Sequence, residues 1–247
     1  MRDLASFIFL SYLIPRPPLI IHTKETPQLP AIDHARRNQP ADHPSDNQRK
    51  WEFDNGLYQK HLEAYLDRMY LHLKFTGAKK VLDAGCGEGF VYRAMRKRGY
   101  SGEWTGFDNS EQAIKLCKQA TPEAEWHVGS AYELPFKNGS FELVFSSQVL
   151  EHLKGPAKPL KEFARVAESW LLLSVPYEPL FRILTWFSIK SGLGKDPGHV
   201  NHWTAEHFRI FARTAGHLHC WDRTTIYQIA LIDVRGNGNT QPVRSAL

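Results

Sequence analysis

From about residue 58 onward, the apolar positions of the chain follow two rhythms. Tyr58, Leu62, Tyr65, Leu66, Met69 and Leu73 recur at three- and four-residue spacing, which predicts an amphipathic helix. Short apolar runs then predict strands near Val81–Leu82, Trp104–Phe107, Glu125–Val128, Leu143–Phe145 and Leu171–Val175. Between them, helices are predicted over Val91–Arg98, over Glu111–Gln119 with Ser110 as N-cap, and over Leu160–Ala167. Alternating strands and helices predict an α/β fold, a mostly parallel twisted sheet with right-handed crossovers and helices on both faces. Thr204 is a good N-cap for a last helix that runs to about Ala215 and stops at Gly216. Two more strands are predicted near His217–Trp221 and Ile226–Asp233.

The first strand runs into Asp83-Ala84-Gly85-Cys86-Gly87-Glu88-Gly89. Alternate glycines let the backbone turn tightly and let a ligand lie against bare main chain, and the following helix N-terminus offers free N–H groups. A second acid, Asp108, closes the second strand nineteen residues after Gly89, a distance at which an acid holds ribose hydroxyls in nucleotide-binding α/β folds. The elementary reading is a nucleoside-containing cofactor at the first strand–helix turn.

The spacing Gly85-x-Gly87-x-Gly89 with Asp83 two residues upstream differs from a dinucleotide fingerprint and resembles motif I of the class I S-adenosylmethionine (SAM) methyltransferases. Gly129–Phe136 is similar to that family's loop after the third strand, Phe141–Leu153 to its fourth strand and following turn, and Leu171–Pro176 to its fifth strand. The likeness spans roughly residues 79 to 216 and is nearest to the small-molecule enzymes typified by quinone biosynthesis. It implies a Rossmann-like fold and SAM as cofactor. It implies that Asp83 anchors the methionine side through water or the loop backbone and that Gly85, Cys86, Gly87 and Gly89 form the loop. Asp108 would take the ribose hydroxyls, Ser130 and Ala131 would flank the adenine, and Gln148 would stand where the chain passes the sulfonium. Two roles are open to Asn109, an adenine contact or a cap for the next helix. Ser146-Ser147-Gln148-Val149 lacks the N/D-P-P-Y/F signature of enzymes that methylate exocyclic amino groups. The implied acceptor is a small organic molecule, with oxygen favoured over nitrogen or carbon.

His152 follows Gln148 closely and titrates near neutral pH. It is a candidate general base, or a structural histidine that braces the turn by holding Glu151 or a backbone carbonyl. Residues 177–203 form a long insert after the fifth strand, rich in aromatics and glycines, which reads as a lid over the acceptor. Tyr177, His199 and His202 are its candidate acceptor contacts; the alternative is that His202 and Trp203 brace the last helix. His199, His202 and His207 lack a cysteine or paired carboxylate at ligand spacing, so no metal is expected.

Composition changes this picture little. With 247 residues, 42% of them hydrophobic, the chain suits one domain, residues 51–235, flanked by tails at 1–50 and 236–247. Three scattered cysteines argue against a disulfide framework and fit a cytoplasmic setting. The net charge of +5 raises an RNA or protein substrate as an alternative, but Lys and Arg are dispersed, and the cluster Arg93, Arg96, Lys97, Arg98 reads as a solvated helix face. A non-catalytic SAM-binding subunit is the other alternative. The first fifty residues join an apolar run, Leu4–Ile14, to a polar, Pro-rich stretch that cannot pack a core. They read as a loosely docked or disordered tail, a membrane-surface attachment or a misplaced start; no run reaches the ~20 residues of a membrane span.

Overall fold

The computed structural model describes residues 56–190 and 198–236, so the expected tail at 1–50 and nearly all of the one at 236–247 lie outside the described residues. The first helical stripe is present as helix α1 (Gly56–Thr76), with Leu62, Tyr65, Leu66, Met69 and Leu73 all buried. Strands and helices then alternate: β1 (Lys80–Ala84), α2 (Phe90–Lys97), β2 (Glu103–Asp108), α3 (Glu111–Ala120), β3 (Glu125–Val128), β4 (Phe141–Ser147), a 3₁₀ turn (Leu150–His152), α4 (Ala157–Val166) and β5 (Ala167–Pro176). Helix α5 (Leu180–Lys190) lies in the insert, and α6 (Ala205–Arg213), β6 (His217–Arg223) and β7 (Tyr227–Asp233) complete the order. Among the described residues no helix is long and apolar enough to cross a membrane.

The seven strands form one sheet in the order β3-β2-β1-β4-β5-β7-β6. The first five are parallel, and β7 runs antiparallel to both β5 and β6. Strands covered on both faces need continuous apolar runs, and Leu171, Leu172, Leu173 and Val175 of β5 are fully buried. One core, beneath α1, α2 and α3, holds Met69, Met95 and Ile114; the other, beneath α4 and α6, holds Phe163, Leu173 and Phe208. Helices therefore cover both faces. Connections from β1 run outward to β2 and β3, then return to β4, so the switch point of the sheet falls between the carboxyl ends of β1 and β4, where such folds place a ligand.

The caps read from sequence are formed: Ser110 Oγ accepts from Ala113 N at 3.2 Å and Thr204 Oγ1 from His207 N at 3.2 Å. The basic cluster on α2 is not a solvated face. Arg98 is paired with Glu63 and Asp67 of α1, Arg96 donates to Tyr100 O at 2.9 Å and lies over the Tyr92 ring, and Arg93 donates to Glu88 O at 2.7 Å. These three cations tie the segment to α1, to Tyr100 and to the glycine loop, while Lys97 is exposed.

Candidate active site

The loop after β1 is built as its sequence requires. Gly85, Gly87 and Gly89 have φ of 89°, 51° and 74°, the left-handed region that glycine enters without strain. A Cβ on Gly85 would come within 2.3 Å of Val149 Cγ2, so the first loop lies directly against the turn after β4. Gly85 N and Cys86 N both donate to Phe107 O, at 2.7 and 3.2 Å, tying the loop to β2. Asp108 at the end of β2 grips it from the other side: Oδ2 accepts from Gly87 N and Oδ1 from Ser110 N, each at 2.9 Å. Each of its oxygens keeps a second lone pair. Ser110, not Asn109, caps the next helix, which leaves Asn109 exposed beside Asp108.

Asp83 is 1% exposed, and both of its carboxyl oxygens are buried with no hydrogen-bond partner among the described residues. Burial, reinforced by the Asp108 charge, pushes its carboxyl up to about 8 against a weaker opposing pull from the Trp104 indole. Cys86 is buried too, and its thiol is pushed well up by its hydrogen bond with Cys117 and by burial, so it is no nucleophile. Ser130 is exposed and Ala131 half-buried on the loop after β3. Arg165 of α4 holds that loop, donating to Phe136 O at 2.8 Å, Leu134 O at 2.9 Å and Glu162 Oε2 at 2.7 Å.

Beyond β4, Gln148 adopts φ 59°, rare for a residue with a side chain. Its N–H donates to Ser174 O at 3.0 Å and its Nε2 to Ser174 Oγ at 3.2 Å, while its Oε1 is buried with no hydrogen-bond partner among the described residues. The Tyr65 hydroxyl joins this group, 2.6 Å from Ser147 Oγ and bonded to Ser174 Oγ; burial, against those hydrogen bonds, pushes it up to about 12. Tyr65 and Ser174 were not foreseen as site residues. A tyrosine in a helical stripe reads as core, and nothing local ties it to strands 82 and 109 residues away.

The acceptor candidates divide. His152 is exposed, with Nδ1 3.4 Å from Gly198 O and its ring 4.8 Å from that of His199. His199 also stacks on Phe181 of the insert at 5.1 Å. His202 is engaged elsewhere, with Nδ1 3.3 Å from the buried carboxylate of Glu178, and Trp203 is packed against Phe208 and Phe211 of α6. Trp203 thus packs on the last helix, while His202 contacts the start of the insert. Tyr177 is half-buried beneath the Arg223 guanidinium, 4.6 Å from its ring. Sequence reasoning passed over Glu151, which is fully buried beside His152 and His199. The expectation of no metal rested on histidines without a nearby carboxylate; the fold supplies one.

Residues 82–169 match the family described as "Methyltransferase domain". The chain is 31% identical to tocopherol O-methyltransferase of Arabidopsis thaliana over 43% of its own length and 35% of the relative's. It is 33% identical to norajmaline N-methyltransferase of Rauvolfia serpentina, over 36% of its own length and 32% of the relative's. The chain thus spans about a third of the length of these curated relatives. In fold it is similar to magnesium protoporphyrin IX methyltransferase of Synechocystis PCC 6803, solved with bound S-adenosylhomocysteine (SAH): TM-score 0.60, 19% identity, 76% of this chain and 94% of that one. The glycine loop, the terminal acid of β2 and the strand order agree with that match: residues 82–169 are similar to the methyltransferase domain family, and the fold is similar to that of a solved methyltransferase.

Proposed function

We propose that this chain transfers a methyl group from SAM to a small organic acceptor, at oxygen in preference to nitrogen or carbon. The observation that carries the reading is the left-handed glycine loop clasped by Asp108, with Gly87 N 2.9 Å from its carboxylate at the switch point of the sheet. Those residues fit the cofactor. Asp108 has lone pairs for two ribose hydroxyls, the loop gives close access to bare backbone, and the orphaned Gln148 Oε1 offers a partial negative charge beside the turn after β4. When bound, SAM supplies an electrophilic methyl group on a positively charged sulfur. The protein's part is to bind, orient and exclude water. The loop and Asp108 hold the nucleoside; Gln148, locked through Ser174, and the 3₁₀ turn border the space for the acceptor.

The names of the two relatives divide between oxygen and nitrogen, so the preference for oxygen rests on this chain's own residues: Ser146-Ser147-Gln148-Val149 in place of an amino-group motif, and a polar cluster of Glu151, His152 and His199 beyond it. A macromolecular acceptor is less well supported, because three of the four cations clustered on α2 are spent on contacts within the domain. Calorimetry with SAM and SAH tests the first half of the reading, and absence of binding refutes it. A turnover screen of phenols, amines and carbon acids, with bulk tRNA as a further acceptor, tests the second. A SAM-binding chain that turns over none of them is the non-catalytic subunit.

A further inference from the structure

We propose that Glu151, His152 and His199 form a binding site for a first-row divalent cation, Zn²⁺ or Mn²⁺, on the acceptor side of the cleft. Each residue offers one ligand atom, and the three atoms lie within 4.8 Å of one another. Two imidazoles and one carboxylate suit such a cation, and three protein ligands leave positions open, as in catalytic rather than structural sites. An ion about 2 Å from each of three tetrahedral ligands sets them about 3.3 Å apart, so the site closes by at most about 1.5 Å. Side-chain rotation of the exposed His152 and of His199 reaches that far.

The backbone that brings the ligands together is firmly tied. Val200 N and Asn201 N donate to Glu151 O at 2.8 and 3.0 Å, and Asn201 Nδ2 donates to Leu150 O and Leu153 O at 2.8 and 2.7 Å. Four hydrogen bonds thus stitch the returning insert across the 3₁₀ turn, and His199 precedes the stitched residues. Phe181 stacks against its ring. The Gly198 carbonyl lies 3.4 Å from His152 Nδ1, and a hydrogen bond donated there would leave Nε2 with its lone pair, as metal-binding histidines are commonly held. Glu151 is 0% exposed, and a carboxyl so deeply buried either keeps its proton or is balanced by nearby positive charge, which a bound cation would supply.

The purpose of this site, though not its geometry, rests on the methyltransferase reading, and it narrows the acceptor class to a hydroxyl compound whose oxygen can bind the cation. A hydroxyl oxygen bound there loses its proton to water more readily. That oxygen then bonds the methyl carbon as the carbon–sulfur bond breaks and SAH departs.

The test is calorimetric titration of the chelator-stripped full chain with Zn²⁺, Mn²⁺ or Mg²⁺ alone, with Co²⁺ visible absorption as a spectroscopic check. About one equivalent of Zn²⁺ or Mn²⁺ should bind, ahead of Mg²⁺, with at least about tenfold weaker binding in Glu151→Gln and His199→Ala and unchanged SAH affinity in both. Absence of saturable binding by the unmodified chain overturns the proposal and leaves a histidine–glutamate pair. Equal binding by the variants overturns it as well, by placing the cation elsewhere. Should Glu151→Gln fail to fold, His199→Ala and His152→Ala decide the matter. A parallel SAH titration keeps the readings apart: SAH bound without metal sinks this proposal alone, and metal bound without SAH sinks the methyltransferase reading alone.

Discussion

Replacing Asp108 with Ala tests the cofactor site at its most loaded residue. The carboxylate accepts Gly87 N–H and Ser110 N–H at 2.9 Å each, and its remaining lone pairs are the acceptors assigned to the ribose hydroxyls. A hydrogen bond to a charged group contributes about 1.5–3 kcal/mol. Two such bonds on a half-buried acid do not add fully, so a loss of about 3–4 kcal/mol in binding is expected, about 100- to 1000-fold in SAH affinity. The stability cost is smaller, about 1–2 kcal/mol, because the two orphaned N–H groups lie near the mouth of the loop and water can reach them. Asp108→Asn keeps one oxygen and turns an NH₂ toward the other donor, so its affinity should fall between the two. Either change also removes the charge that helps hold the Asp83 carboxyl up near 8, which should fall. Calorimetry with SAH, alongside thermal melts, reads all of this. A folded Asp108→Ala protein with unchanged SAH affinity would refute the site.

Gly85→Ala should destabilise the domain by about 2–4 kcal/mol, since it combines a φ of 89° with a Cβ 2.3 Å from Val149; a melting temperature within a degree or so of the parent protein would show that the two loops do not meet there. Asp83 makes stability pH-dependent with a definite sign. Between the usual carboxyl value of 3.8 and about 8 the unfolded chain is ionised while the folded chain keeps the proton, so rising pH favours unfolding through that window. Asp83→Asn, which cannot ionise, should flatten that fall and raise the melting temperature at pH 8; a pH profile identical to that of the parent protein would refute this. Asn201→Ala removes the donors to Leu150 O and Leu153 O, at a cost of about 1–2 kcal/mol, and should raise KM for the acceptor while SAH affinity holds; unchanged KM would separate the stitch from the acceptor site.

The features the sequence determined are those whose physics is local. Left-handed φ at Gly85, Gly87 and Gly89 is a property of those residues, the N-caps at Ser110 and Thr204 are satisfied within three positions, and strand–helix alternation fixes a mostly parallel sheet. The spacing from Gly89 assigns Asp108 to the ribose hydroxyls in the sequence, and the fold adds its grip on Gly87 N. What tertiary structure alone decided depends on which distant segments share one end of the sheet. Only folding buries Asp83, engages Arg93, Arg96 and Arg98 in contacts within the domain, and brings Tyr65 to Ser147 across 82 residues. Both candidate histidines of the insert read in the sequence as acceptor contacts, His202 with bracing of the last helix as its alternative. The fold separates them by pairing His202 with Glu178 and setting His199 against His152, with Glu151 buried beside them. Their juxtaposition rests on four hydrogen bonds between the returning insert and the turn after β4, contacts that no periodicity encodes.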